Sequence, residues 1–113
     1  MQLVTNRNLL HQIFVIVISN SLKFCPNPCK IRLSSRQEKH KTVLEITDNG
    51  TGFAPEIIPH IFDRFYRGDA AHSRSKGGAG LGLSIAKSIA TVLKCKIEAE
   101  NAADGGACIR LVF

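Results

Sequence analysis

The chain has 113 residues, a net charge of +6 and 44% hydrophobic residues, enough for one core and too few for two. Its longest apolar run, Ile13 to Ile18, is six residues, against about 20 for a bilayer-spanning helix. No charged-then-apolar leader with a cleavage site opens it, so a cytoplasmic domain without membrane contact is expected.

Met1 to Thr5 reads as a short edge strand. Asn6 is a fair helix N-cap, and Leu9, Leu10, Ile13, Phe14, Val17, Ile18 and Leu22 then recur at helical spacing. The spacing predicts a helix over about 7–24, buried on most sides and ended by Pro26 and Pro28. Ile31 and Leu33 alternate with polar residues, a polar stretch from Ser35 to Lys41 makes a turn, and Val43 to Asp48 reads as the return strand. Asp48-Asn49-Gly50-Thr51-Gly52 breaks it. Pro55 and Pro59 divide Ala54 to Phe65 into short helical turns, and Arg67 to Gly78 is a basic, glycine-ended loop. Leu81, Ile85, Ala86, Ile89, Ala90 and Leu93 form the apolar face of a second helix. Lys96 to Asn101 and Ala107 to Phe113 read as two strands around Asp104-Gly105-Gly106. The sum is an α/β sandwich, one mostly antiparallel sheet with helices on one face.

Residues 1 to 40 hold six Lys/Arg and one acid. They are dispersed, without the basic run or aromatic interleaving of a nucleic-acid platform, so no nucleic-acid partner is expected. An anionic small ligand or a solvated surface accounts for the bias equally well. Cys25 and Cys29 lie in C-P-N-P-C, and Cys95 and Cys108 stand alone. The spacings of disulfide frameworks and zinc sites are missing, so reduced, partly buried thiols are expected.

Three patterns carry chemistry. Gly77-Gly78-Ala79-Gly80-Leu81-Gly82 opens the second helix, where free N–H groups and the dipole suit a phosphate; alone, it describes a flexible helix start equally well. It is neither the dinucleotide fingerprint nor the Lys-Ser/Thr phosphate loop. Asp48-Asn49-Gly50-Thr51-Gly52 fixes a carboxylate at a strand end, able to accept from an exocyclic amine, although such a pattern alone is usually a turn. Asn20 and Lys23 share a face of the first helix. Asn20 suits a ligand or metal-water role there, or a polar helix end facing solvent.

The order of Q-I-F-V-I-V-I-S-N-S-L-K-F-C-P, D-N-G-T-G-F, I-F-D-R-F-Y-R and G-G-A-G-L-G-L-S-I-A-K resembles the ATP-binding catalytic domain of two-component sensor histidine kinases. These belong to the GHKL superfamily (HATPase_c, Bergerat fold) shared with gyrase, Hsp90 and MutL. The resemblance runs from about Asn6 to Phe113. It implies a two-layer sandwich with a mixed, mostly antiparallel sheet covered by helices on one face, a single domain over 1–113. It implies ATP and Mg²⁺ as cofactors. Asp48 is expected to hold the adenine amino group, Gly50 and Gly52 to shape the base pocket, and Phe24 to pack on the base. Lys23 is expected to reach the phosphates and Asn20 the magnesium. Gly78, Gly80, Leu81 and Gly82 lie where the triphosphate is cradled, and Arg64 and Arg67 steady the transferring γ-phosphate, so that Asn20, Arg64 and Arg67 form the catalytic set.

The resemblance also implies the activity: γ-phosphate transfer to a histidine on a separate dimerisation/phosphoacceptor domain, in cis or in trans, serving a response regulator indirectly. Three departures bear on it. A second Asn one turn before Asn20 is usual, and Ile16 stands there, removing a polar group that would help hold Mg²⁺. Cys25 replaces a common Thr or Ser. None of His11, His40, His60 and His72 lies in an H-E-x-x-x-P-like acceptor context, and a further helix ahead of residue 1 is usual. A truncated chain without its acceptor domain is therefore expected. The alternatives are a degenerate nucleotide-binding or protein-interaction module without kinase activity, and an anti-sigma-factor-type serine kinase.

Overall fold

The computed structural model describes residues 5–25, 28–63 and 79–113, apart from the side chains at 24 and 79–81. The expected edge strand at Met1–Thr5, the loop at Arg67–Gly78 and Pro26 lie wholly or mainly outside the described residues.

Helix α1 spans Arg7–Phe24. It starts where Asn6 Oδ1 accepts from Leu9 N at 3.0 Å, satisfying one of the free N–H groups of a first turn. Cys25 ends it in extended conformation. Ile13 and Val17 point into the core, whereas Val15 and Leu22 are 48% and 59% exposed. The helix is therefore amphipathic, not buried on most sides, because only one of its faces meets the second helix and the sheet.

Strands β1 (Ile31–Glu38) and β2 (Lys41–Asp48) form a hairpin. The turn is Lys39-His40, with Lys39 at φ +54°, and is shorter than the Ser35–Lys41 stretch that polarity suggests. The strand continues through Ser35–Glu38 because β1 is an edge strand exposed along almost its whole length; ladder hydrogen bonds, not burial, hold it. After β2 a 3₁₀ turn covers Ile58–His60. Helix α2 then spans Ala79–Leu93, followed by β3 (Lys96–Asn101) and β4 (Ala107–Val112).

The four strands make one antiparallel sheet in the order β1-β2-β4-β3. Period-2 alternation sends Leu44, Ile46 and Asp48 of β2, Ile109 and Leu111 of β4, and Ile97 and Ala99 of β3 to the helix-covered side. There Ile46, Ile97, Ile109 and Leu111 meet Ile13 and Val17 of α1, Leu83, Ala86, Ile89 and Ala90 of α2, and Phe53. Each buried Ile or Leu contributes about 1.5–3 kcal/mol. Leu83 belongs to this core, while Ile85, expected on the buried face, is 48% exposed. The two-layer α/β sandwich is thus the observed architecture, with a purely antiparallel sheet among the described residues.

The disulfide Cys25–Cys29 corrects the expectation of four reduced thiols. The Cα atoms of the two residues lie 5.6 Å apart, within the span a disulfide bridges. Cys95 and Cys108 are free.

Candidate nucleotide-binding site

Asp48 ends β2 on the helix-covered side of the sheet and is 7% exposed. Its Oδ1 accepts from Gly50 N at 2.9 Å and from Ala107 N, at the start of β4, at 3.1 Å. Among the described residues its Oδ2 makes no hydrogen bond. A carboxylate has about four lone-pair positions, so half of its accepting capacity is held by the fold and half is open.

The turn after Asp48 is held from two sides. Asn49 N donates to Lys30 O at 3.2 Å, and Asn49 Oδ1 accepts from Lys30 N at 2.9 Å. Gly52 sits at φ +78°, and a Cβ there would stand 2.4 Å from Gly105 O and 2.6 Å from Asn101 Oδ1. Only glycine meets both demands, backbone and space. Asn101 then clamps the next residue: its Oδ1 accepts from Phe53 N at 2.7 Å and its Nδ2 donates to Phe53 O at 2.9 Å. Gly106 fits equally closely, since a Cβ there would lie 1.8 Å from Asp48 O. The β3–β4 hairpin therefore braces the segment that carries Asp48.

Asn20 and Ser21 of α1, Asp48, Thr51, Gly52, Phe53 and Ala107 line one small, partly open space of about 20 Å³. That is room for one water. Of the residues singled out in the sequence, the structure thus brings Asn20, Asp48 and Gly52 together, with Gly50 hydrogen-bonded to Asp48. Lys23 stands exposed in the last turn of α1. Gly82 lies in the first turn of α2, where a Cβ would meet Ile16 Cγ2 at 3.7 Å. Ile16 and the glycine-rich helix start are therefore neighbours. Gly80 and Leu81 lie in α2. Arg64, Arg67, Gly78 and the side chain of Phe24 lie outside the described residues. Sequence reasoning missed Asn101, Gly106 and Ala107; the available signal was an Asn two residues beyond Ala99, and so inward-facing, at the end of an otherwise apolar strand face.

A larger open cleft of about 770 Å³ lies mainly across the outer sheet face. Arg110 dominates it, with Nε 2.8 Å from Glu45 Oε2, Nη1 3.4 Å from Glu98 Oε1, and Nη2 bonded to Glu100. Arg36 adds a second partner to Glu45 at 3.0 Å. The Arg110 hydrogen bond holds the Glu45 carboxyl below its ordinary range, against the opposing effect of burial. Glu45, Glu100 and Cys108 have metal-ligand atoms within 4.8 Å of one another, but both carboxylates already bond Arg110, and burial keeps the Cys108 thiol raised.

The family described as histidine kinase-, DNA gyrase B- and HSP90-like ATPase matches residues 5–113. The chain belongs to this family. As a HATPase_c domain it is 39% identical over 103 residues to the sensor protein KdpD of Clostridium acetobutylicum, covering 91% of this chain and 11% of that protein. It is 39% identical over 102 residues to the signal transduction histidine-protein kinase ArlS of Staphylococcus aureus, covering 90% and 23%. The chain therefore spans between about a tenth and a quarter of these relatives. Among solved structures, the mycobacterial sensor histidine kinase MprB superposes with a TM-score of 0.84 at 27% identity, covering 99% of this chain and 76% of that one. ShkA in complex with AMPPNP gives 0.74 at 24% identity, covering 92% and 21%, a likeness of fold alone. The GHKL fold expected from the motifs is the observed one, and the HATPase_c relatives are histidine protein kinases. No helix among the described residues is long and apolar enough to cross a membrane.

Proposed function

We propose that this HATPase_c domain, a single unit over 1–113, binds ATP with Mg²⁺. It then donates the γ-phosphate to a histidine on a separate dimerisation/phosphoacceptor domain, in the cytoplasm and in the service of a response regulator. The observation that supports this most is Asp48: a buried carboxylate with one oxygen tied to Gly50 and Ala107 and the other open, beside Asn20. An open acceptor at that place suits the exocyclic amine of adenine. The glycines at 50 and 52 leave the backbone approachable. Phosphate contacts are assigned to Lys23, the N-terminus of α2 with Gly78, Gly80, Leu81 and Gly82, and Arg64 and Arg67, and packing on the base to Phe24.

The described residues support the adenine end of this reading better than the metal end. Asn20 supplies one side-chain oxygen for Mg²⁺, which usually keeps several waters and takes further ligands from the phosphates. When bound, the metal would neutralise phosphate charge. Phosphoryl transfer asks mainly for positioning and charge compensation, and that is the work given to Lys23, Arg64, Arg67 and the helix N-terminus.

Ile16 favours a second reading, a module that retains the fold and nucleotide affinity without catalysis. It packs beside Gly82 and removes a polar side chain that would help hold Mg²⁺. It also counts against a serine kinase of the anti-sigma-factor type, which normally has an acidic residue there. Calorimetry with an ATP analogue, with and without Mg²⁺, tests the first step, and labelled phosphate on an acceptor hairpin supplied in trans tests the second. Binding with transfer supports the kinase. Binding without transfer, restored by Ile16→Asn, assigns the defect to the metal site; binding that Ile16→Asn leaves inert supports the degenerate module.

A further inference from the structure

The Cys25–Cys29 disulfide stands against the turn that follows Asp48. Cys25 caps α1, and its Cα and Cβ lie 3.4 and 3.6 Å from where a Cβ on Gly50 would be. Cys29 leads into Lys30, which exchanges two hydrogen bonds with Asn49, at 2.9 and 3.2 Å. The two sides of the bridged loop therefore lie against adjacent residues of one turn: Cys25 borders Gly50, and Lys30 hydrogen-bonds Asn49. Gly50 N in its turn donates to Asp48 Oδ1.

We propose that Cys25 and Cys29 form a thiol–disulfide exchange site, open to small dithiols and disulfides, whose state sets the Asp48–Gly50 turn and with it nucleotide affinity. The affinity part rests on the reading of Asp48 as the adenine acceptor. In the exchange, a thiolate of the dithiol attacks one sulfur and breaks the Cys25–Cys29 bond, forming a mixed disulfide. That attack releases one cysteine as a thiolate; the second thiol then closes the reagent's own disulfide and releases the other, and each cysteine takes up a proton. The protein gains two electrons and two protons, the reagent loses the same, and a low-molecular-weight disulfide reverses the step.

Reduction does more than open the loop. Cys25 Sγ stands 3.1 Å from Asn49 Oδ1. As part of the disulfide it has no proton to donate; as a thiol it does, toward the oxygen that accepts from Lys30 N. Reduction therefore alters the contact between Cys25 and Asn49 as well as the covalent loop. Cys95 and Cys108 do not compete for exchange, because burial raises both thiols and so suppresses the attacking thiolate.

The test uses the 113-residue chain oxidised with glutathione disulfide, half of it then reduced with dithiothreitol. Alkylation after denaturation is expected to modify two cysteines in the first sample and four in the second. ATP-analogue affinity is expected to fall roughly five- to tenfold on reduction, the low end of coupling between sites, with faster hydrogen exchange at the Asn49 and Gly50 amides. The double variant Cys25→Ser, Cys29→Ser is expected to match the reduced sample and ignore dithiothreitol; the two states of the parent can be compared without it. Equal affinity and equal exchange in two verified states overturn the proposal. So do four modified cysteines after oxidation, or a dithiothreitol effect that survives in the double variant. If neither state binds the analogue, the nucleotide reading fails, and exchange at Gly50 still decides whether the thiols control the turn.

Discussion

Asp48 Oδ1 accepts from two backbone N–H groups and Oδ2 from none among the described residues, so substitutions there separate folding from binding. Asp48→Asn keeps an oxygen for Gly50 and Ala107 and turns an N–H₂ donor toward the ligand. ATP-analogue affinity by calorimetry is expected to fall about tenfold or more, the value of a hydrogen bond to a charged group, with the melting temperature nearly unchanged. Asp48→Ala instead orphans two N–H groups at about 1–3 kcal/mol each, and the melt reports it. Asn101 has no expected ligand contact, yet it holds both polar backbone groups of Phe53. Asn101→Ala is expected to cost about 2 kcal/mol by urea denaturation and to speed exchange at the Phe53 amide. Unchanged exchange there would mean the clamp contributes nothing.

Helix α2 ends in a paired motif: Lys94 N donates to Thr91 O at 3.1 Å and Cys95 N to Ala90 O at 3.0 Å, with Lys94 at φ +61°. That arrangement normally has glycine at the left-handed position. Lys94→Gly is therefore expected to stabilise the chain by about 1 kcal/mol, a rise of about 4 °C in a thermal melt. The outer-face ladder makes a pH prediction. Arg110 keeps Glu45 ionised below its unfolded range, so this stability is complete above that range and lost as acid titrates the folded carboxylate. Arg110→Gln is expected to flatten the acid limb of a stability–pH curve while leaving its neutral-to-basic shape alike. The elements themselves were legible where their signals were local. Asn6, the Asp48–Gly52 break and Asp104-Gly105-Gly106 mark boundaries by their own turn chemistry. The β1 end was not, because an edge strand exposed on both faces needs no alternation. The buried face of α2 was not either, because Leu83, Ile85, Ile89 and Val92 spread the apolar positions wider than the face that packs, and only packing against α1 selects Leu83 over Ile85. At the site, Asp48 and the glycines of its turn stood out in sequence, whereas the parts of Asn101 and Gly106 in bracing that turn act across the fold and could not be read from their local signals.

Over the whole molecule, the site joins α1, the end of β2 and the β3–β4 hairpin, so a ligand there ties both layers of the sandwich together. A nucleotide that binds only the folded chain stabilises it by about 2.7 kcal/mol at a hundredfold excess over its Kd. An adenine analogue is expected to raise the melting temperature accordingly. A guanine analogue is expected to leave it unmoved, because guanine presents a carbonyl oxygen where adenine has its amine and Asp48 can only accept. Equal shifts for both would remove Asp48 from base recognition.

The hydrogen bonds that shape this site span 59 residues, from Asp48 to Ala107, and 48, from Phe53 to Asn101. During synthesis, then, the Asp48 turn emerges long before the hairpin that braces it. A ribosome-bound chain that has not yet exposed β4 carries the Asp48 motif without its brace, and on the proposed reading a nucleotide is not expected to shield it from a protease until Ala107 has cleared the exit tunnel.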